Sequence, residues 1–165
     1  MNQLKFLSLL LALMAGCSTK HVTGVQNTKS NPSQNIDKNL ILELVNNARS
    51  KGCQCGDTWY PKVQAVSWNN QLEYAAAEHS SDMYKKNYFS HNAPDGSNAG
   101  DRIKKSGYQW KQYGENIATG QSSVKQVVSG WLKSPGHCRN IMNRSFTEIG
   151  VGRSGNLWTM DLGSR

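Results

Sequence analysis

Two residues that can do chemistry stand side by side in WLKSPGHCRNIM, residues 131–142. His137 offers an imidazole and Cys138 a thiol, directly after a Ser-Pro-Gly turn. Three arrangements are open: a nucleophile beside its base, a metal ligand beside a structural thiol, or two side chains with unrelated roles. The choice depends on the compartment of the protein and on the other histidines.

The other histidines differ in their surroundings. NNQLEYAAAEHSSDMYKKN has the spacing of a helix, with His79 on its apolar side. A hydrogen-bonded core histidine and a ligand are both open there. His91 precedes Pro94-Asp95-Gly96, a turn in which proline presets φ and glycine accepts a positive φ. Functional groups concentrate on such irregular backbone. His21 lies in a polar stretch, and we expect it to be solvated.

The start of the chain, MNQLKFLSLLLALMAGC, has the pattern of an export signal. Lys5 precedes an apolar run that is too short to span a bilayer as a stable helix. The small residues before Cys17 resemble the lipobox of bacterial lipoproteins, which implies a diacylglyceryl group on Cys17 and removal of residues 1–16. Two acyl chains would suffice for stable anchoring. An ordinary secretory signal that contains a cysteine is the alternative.

The segment after the signal is too polar to form a core. We expect residues 17–35 to be a lipid-anchored flexible tether and residues 36–165 to be one domain. Ser18, rather than an aspartate, follows the cysteine, which in Gram-negative bacteria resembles an outer-membrane address. The expected location is therefore the bacterial cell envelope, at the outer membrane facing the periplasm or the exterior.

The chain is basic, with a formal net charge of +8. Such a charge favours anionic lipid headgroups, lipopolysaccharide or cell-wall polymers as partners, or it is a solubility feature spread over the surface. The second interpretation is the simpler one. Nucleic acid is not expected as a partner of an exported protein that has no cluster of basic and aromatic residues.

Export permits disulfide bonds among Cys53, Cys55 and Cys138. Three cysteines allow one bond and leave one thiol. Cys53 and Cys55 are an awkward pair to bridge each other because they are two residues apart. A bond from either of them to Cys138 would close a long loop and contribute about 2–5 kcal/mol. Cys138 is therefore expected to be a structural half-cystine rather than a nucleophile.

The apolar spacing predicts helices separated by turns, followed by two strands. The segment around CQCGDTWYPKVQAV is expected to be loop-like, and Pro135-Gly136 to end a helix. Helices and strands without a regular βαβ order indicate an α+β fold. Helices are expected from about residue 36 to Gly52, over residues 69–87, from Ser97 or Asn98 to Gly107, and from Ser123 to Pro135, with strands on either side of Ser154-Gly155-Asn156.

Five segments together resemble the CAP superfamily, also called the SCP domain, in its bacterial branch. The resemblance runs from about residue 37 to 163 and implies an α-β-α sandwich with a small antiparallel sheet between the helices. It also favours Cys55 over Cys53 as the partner of Cys138, because Cys55-Gly56 matches bacterial relatives. The segments are VSWNNQLEYAAAEHSSDM, YFSHNAPDG, YGENIATG, WLKSPGHCRNIM and FTEIGVG.

The family has a cleft lined by histidines and glutamates, and the resemblance places His91, Glu115 and His137 in it. A further glutamate of many eukaryotic relatives is missing, since Trp131 is followed by Leu132-Lys133-Ser134. Adjacent residues on extended or irregular backbone project oppositely, so His137 is expected to face the cleft and Cys138 to face away. Alternatively, Glu115 and Asn116 fix the loops of the cleft through hydrogen bonds.

Two imidazoles and a carboxylate are a ligand set for zinc or another divalent cation. Without a metal, Glu115 and His137 are candidates for general acid and base. Because the acid set is incomplete, we expect a binding domain for a lipid, a cell-wall glycan, a metal or a protein, and not an enzyme. A zinc-dependent or His/Glu hydrolase and a structural envelope tether are the alternatives.

Overall fold

The computed structural model describes residues 36–165. The predicted signal peptide and tether, including Cys17 and His21, lie outside the described residues. Within the described part, five helices and six strands follow one another along the chain. They are α1 (Lys38–Lys51), β1 (Cys53–Cys55), β2 (Thr58–Tyr60), β3 (Ser67–Trp68), α2 (Asn70–Lys86), α3 (Ala99–Lys105), β4 (Gln112–Thr119), α4 (Val124–Lys133), α5 (Pro135–Ile141), β5 (Glu148–Ser154) and β6 (Leu157–Ser164).

Capping residues set the ends of the predicted helices. The Asn69 side chain accepts hydrogen bonds at the start of α2, and Asn98 forms a capping box with Asp101 at the start of α3. Ser123 caps α4 by accepting from the Gln126 amide. Helix α1 ends at Gly52, which has a positive φ of 85°. These four helices confirm the expectations from apolar spacing, because their caps and stripes are encoded locally.

The sheet has the order β3-β5-β6-β4 and is antiparallel except for the short parallel pair β3–β5. Strands β5 and β6 form the hairpin predicted around Gly155. Helices α2 and α3 cover one face, while α1, α4 and α5 cover the other around Trp131 and Trp158. This is the expected α-β-α sandwich. No helix in residues 36–165 combines the length and apolar character needed to cross a bilayer.

One expectation about local structure was incomplete and one was wrong. Helix α4 ends at Lys133, as expected from Pro135-Gly136, but Pro135 is also the first residue of a further helix, α5. Proline suits the first turn of a helix because its missing N–H would be unpaired there anyway. The loop-like segment after Gly52 contains the hairpin β1–β2, whose strands are three residues each and too short to show an alternating pattern.

Helix α2 lies directly on the glycines of β5. A Cβ atom at Gly150 would meet the backbone of Leu72 and Glu73, and one at Gly152 would meet the backbone of Ala76 and Ala77. The backbone of α2 therefore lies directly against a strand surface that carries no side chains. This close approach brings α2, and with it His79, against the sheet.

Replacing Gly152 with alanine is expected to destabilise the domain by about 2 kcal/mol, as overpacking of a filled core does. The matched control is Gly130→Ala, because a Cβ at Gly130 in α4 meets only the tip of Gln121 at 4.0 Å. There the same substitution should stabilise by about 0.5–1 kcal/mol through helix propensity. Urea unfolding of both variants measures the difference, and equal midpoints would contradict the close α2–β5 contact.

Candidate functional site

Two of the predicted site residues lie on strand β4, at the edge of the sheet. Glu115 and Asn116 are consecutive on this strand, so their side chains point to opposite faces. The Glu115 side chain lies on the face covered by α2 and α3 and accepts a hydrogen bond from Arg102. The Asn116 side chain lies on the face covered by α5 and donates to the His137 carbonyl. One dipeptide therefore connects both helical layers to the edge strand.

The Glu115 carboxylate is held from two sides. Its Oε1 accepts from His91 Nδ1 at 2.7 Å, and its Oε2 accepts from Arg102 Nη2 at 2.6 Å. Arg102 also donates to the carbonyls of Ser97 and His91, so it fixes the loop that carries the histidine. The side chain of Glu115 is 3 % exposed and that of His91 55 %. A buried acid thus orients an imidazole that solvent can reach.

Hydrogen bonds determine the ionisation of Glu115 and the position of the hydrogen on His91. Burial raises the pKa of Glu115, but the hydrogen bond from His91 and the charge of Arg102 outweigh burial, so the pKa lies below its ordinary value. The carboxylate is therefore ionised at neutral pH. Because the carboxylate can only accept, His91 Nδ1 carries the hydrogen of this bond. His91 thus presents its Nε2 edge to an incoming group.

His79 lies beneath the cleft as a buried member of the same cluster. Its Nε2 is 3.9 Å from Glu115 Oε2 and 3.0 Å from the Ser90 carbonyl, to which it donates. Burial lowers the pKa of His79, so its ring is neutral at neutral pH. Of the two expectations for His79, the hydrogen-bonded core histidine describes this geometry.

A cavity of about 300 Å³ lies between α2, α3 and residues 93–97. His79 and Arg102 line it, so it adjoins the cluster around Glu115 from the side of the helices. Its other walls include Tyr74, Asp82 and Lys105. The cavity extends the candidate site beyond the residues that the sequence predicted.

His137 lies on α5, and side-chain amides hold this helix against β4. Asn116 Nδ2 donates to the His137 carbonyl at 3.1 Å, and Asn140 Nδ2 donates to Asn116 Oδ1 at 2.9 Å and to the Glu115 carbonyl at 3.1 Å. Burial and then the charge of His91 lower the pKa of His137. The amides therefore fix α5 against β4, as in the alternative expectation for Asn116.

The positions of the donor atoms bear on the predicted metal set of His91, Glu115 and His137. Both oxygens of Glu115 already accept hydrogen bonds. Within residues 36–165, the one group of three or more potential ligands whose donor atoms lie within 4.8 Å of one another is Cys53, Cys55 and Cys138. The set His91, Glu115 and His137 therefore does not fit a three-ligand zinc site here. Glu115 acts on His91 as an orienting carboxylate.

A second carboxyl group lies beside Glu115. Asp161 on β6 is its cross-strand partner and is completely buried. Neither of its oxygens accepts a hydrogen bond among the described residues, and in its protonated form the carboxyl group can donate to Glu115. Burial, and after it the charge of Glu115, raise the pKa of Asp161 well above its ordinary value. The negative charge of the pair resides on Glu115, and the proton on Asp161.

The disulfide joins Cys55 to Cys138, and Cys53 is the free thiol. This confirms the pairing that the resemblance favoured. The reason given for the opposite orientations of His137 and Cys138 was wrong, because both residues lie on helix α5 and not on extended backbone. Cys138 is fully buried against the hairpin β1–β2, whereas His137 remains partly exposed.

Comparison with known proteins identifies the fold and its sequence pattern. The model of the cysteine-rich secretory protein family, CAP, matches residues 42–157. The chain belongs to the CAP family. The protein YkwD of Bacillus subtilis is 37 % identical to it over 124 residues, which are 74 % of this chain and 45 % of YkwD. The chain thus spans less than half the length of that CAP relative.

Solved structures show the same CAP fold. An extracellular protein containing a SCP domain from Bacillus anthracis superposes with a TM-score of 0.68 at 32 % identity, over 77 % of this chain and 40 % of that protein. An outer surface protein from Borrelia burgdorferi superposes with a TM-score of 0.66 at 20 % identity, over 81 % of this chain and 98 % of that protein. The second likeness concerns the fold alone.

Three members of the cluster were missed by sequence reasoning: Arg102, Asp161 and the position of His79 beside Glu115. Arg102 lies on the short helix α3, outside the motifs that carried the resemblance. Asp161 offered a signal, since it interrupts the apolar strand LWTMDLG. A charged residue within a strand that is otherwise buried needs a partner or a proton.

Proposed function

We propose that this CAP-family chain is a lipid-anchored protein of the bacterial cell envelope that binds a polar ligand in its cleft and does not turn it over. The single observation that carries the binding proposal is the oriented imidazole of His91 on the buried, ionised Glu115. An imidazole fixed in this way is preorganised for a ligand that brings a hydroxyl, an N–H group or a cation.

The lining of the cleft favours a polar ligand over an acyl chain. His91, Arg102, Glu115 and His137 contribute polar groups, and the adjoining cavity adds charged side chains. Buried polar groups favour ligands that can pair with them. A hydroxyl-rich cell-wall glycan fits this lining, as does a divalent cation held by the two imidazoles alone. A lipid ligand would present its headgroup rather than its tail.

Absence of turnover is the simpler proposal because Glu115 is not free to transfer protons. Its low pKa keeps it ionised, and its two partners occupy both oxygens. A carboxylate in this state orients its neighbour and does not serve as a general acid at neutral pH.

The extracytoplasmic location is supported by the signal-like start of the chain, by the disulfide and by a relative. The Bacillus anthracis protein at 32 % identity is described as extracellular. The proposed anchor is the lipid on Cys17, and Ser18 directs it to the outer membrane in a Gram-negative host. If Cys17→Ser leaves the full chain in the membrane fraction after carbonate washing, the lipid anchor is disproved.

Binding is tested with the full chain and three probes: purified sacculi, Zn²⁺ alone, and vesicles containing phosphatidylglycerol. For whichever probe binds the wild-type protein, His91→Ala should weaken binding about tenfold, because one lost ligand hydrogen bond costs about 1.4 kcal/mol. His137→Ala measures the contribution of the opposite wall of the cleft. Lys111→Ala, an exposed change outside the cleft, is the matched control and should bind like the wild type.

The outcomes separate the proposals. Retention of sacculi but not of vesicles would support a glycan ligand, and heat released only by Zn²⁺ would support a two-imidazole cation site. Unchanged binding of every probe by the double variant His91→Ala/His137→Ala would remove the cleft from the function. In that case the structural envelope tether would be the better account.

A hydrolase is the second candidate, and one observation favours it. A carboxylate that holds Nδ1–H of a reachable histidine leaves Nε2 as a general base toward water. The test is hydrolysis of cell-wall peptides and glycans by the full chain. Activity that His91→Ala abolishes in a folded protein would replace the binding proposal, and sensitivity to chelation would show whether a metal takes part.

A further inference from the structure

The three cysteines of the domain meet at one point. Cys53 and Cys55 are two residues apart on β1, so their side chains share one face of the strand. Helix α5 packs on this face through Cys138. The free Sγ of Cys53 is 3.6 Å from Sγ of Cys138, and all three sulfur atoms lie within 4.8 Å of one another. A free thiol is thus in contact with the disulfide.

Access to the three sulfurs is unequal. Cys55 and Cys138 are 2 % and 0 % exposed, whereas Cys53 is only partly buried. A thiol or disulfide reagent from solution therefore meets Cys53 before it meets the bond. The buried pair is reached through Cys53, which suits the role of an entry residue.

We propose that these cysteines form a thiol–disulfide exchange site. The thiolate of Cys53 attacks Sγ of Cys138, the bond between Cys53 and Cys138 forms, and the bond between Cys138 and Cys55 breaks. Cys55 leaves as a thiolate and takes up a proton, which replaces the proton that Cys53 lost to solvent. No electrons are gained or lost, because one disulfide and one thiol are present before and after.

The fold tolerates either bond. Because Cys53 and Cys55 share a face of β1, both bonds tie the same strand to α5. The turn after Cys55 also touches the start of α5, since a Cβ at Gly56 would lie 3.1 Å from Pro135. The hairpin β1–β2 therefore remains packed on α5 while the disulfide bond of Cys138 moves from Cys55 to Cys53. The exchange is independent of ligand binding in the cleft.

Mapping of the free thiol tests the proposal. The full chain, purified without reductant, is incubated at neutral pH, quenched with acid to stop exchange, and labelled with a maleimide under acidic denaturing conditions. Cys53 and Cys55 fall in one tryptic peptide, residues 52–62, so fragmentation at Gln54 assigns the label. We expect label at Cys55 in a fraction on the order of a tenth of molecules, which corresponds to isomers that differ by about 1.4 kcal/mol. Label confined to Cys53 would overturn the proposal.

Two variants complete the test. Cys53→Ser should abolish labelling of Cys55, and label that persists there would show opening by an outside reductant, which overturns the proposal. Cys55→Ser should form the bond between Cys53 and Cys138 in the folded protein. Two free thiols in that variant would also overturn it. Peptide mapping separates Cys17 from the three sulfurs of the domain.

Discussion

Replacing Arg49 with methionine is expected to cost about 4 kcal/mol, because each of four backbone carbonyls loses a hydrogen bond that contributes on the order of 1 kcal/mol. Arg49 is completely buried at the end of α1. Burial lowers the pKa of Arg49 to about 10, so it remains charged at neutral pH. Its guanidinium donates to the carbonyls of Gln64, Ile141, Asn143 and Phe146 at 2.6–3.1 Å.

These four carbonyls explain why the loss should be large. They belong to two regions, the segment before β3 and the end of α5 with the turn that follows it, where no neighbouring strand supplies hydrogen-bond donors. The Arg49 guanidinium supplies the hydrogen-bond donors that a neighbouring strand would otherwise provide, and it joins both regions to α1. A lysine offers a point charge without the planar fork, so Arg49→Lys should recover only part of the loss.

Thermal and urea unfolding of the variants give the measurement. The midpoint of Arg49→Met should fall by roughly 15 °C for a domain of this size. Arg144→Met is the matched control, since Arg144 is exposed and close in sequence to the same turn. It should change stability by no more than about 0.5 kcal/mol. Equal losses in both variants would mean that the carbonyls find other donors.

The contrast between Arg49 and its neighbours shows what the sequence can reveal. Ile41 and Val45 are buried on α1, and their helical spacing predicted this. Arg49 continues the same stripe one turn later, but a charged side chain gives no apolar signal. Its donors pair with carbonyls up to 97 positions away in sequence, and no local pattern specifies such partners.

The candidate site shows the same division. The family resemblance singled out His91, Glu115 and His137, since their motifs are short and contiguous. The resemblance did not supply Arg102 or Asp161, whose roles depend on the register of β4 against β6 and on the position of α3. The strand β4 itself, with polar Gln112, Glu115 and Asn116 in its pattern, was known only as a motif.

Glu115→Gln and Asp161→Asn are expected to change stability at neutral pH in opposite directions. The two carboxyl groups are cross-strand partners on one face of the sheet, but only Glu115 has cationic and hydrogen-bonding partners. Glu115→Gln leaves the partly buried guanidinium of Arg102 without an anion, which should cost about 3 kcal/mol. Asp161→Asn removes a carboxyl group whose ionised form has no partner, and it should stabilise the domain.

The dependence on pH follows from the two pKa shifts. The pKa of Glu115 lies below its ordinary value of 4.5, so its stabilisation is present above pH 4.5 and is lost as the pH falls through the lower folded pKa. The pKa of Asp161 lies well above 3.8. The folded protein therefore holds a proton that the unfolded chain releases, and stability decreases as the pH rises from 3.8 toward the folded pKa.

Urea unfolding of both variants across pH checks these signs. Asp161→Asn should match the wild type below pH 3.8 and be more stable than the wild type at neutral pH. The loss in Glu115→Gln should shrink as the pH falls, because the wild type then loses the same charge. A destabilised Asp161→Asn at neutral pH would place the negative charge on Asp161. Glu115 would then hold the proton, and His91 would no longer face an ionised carboxylate.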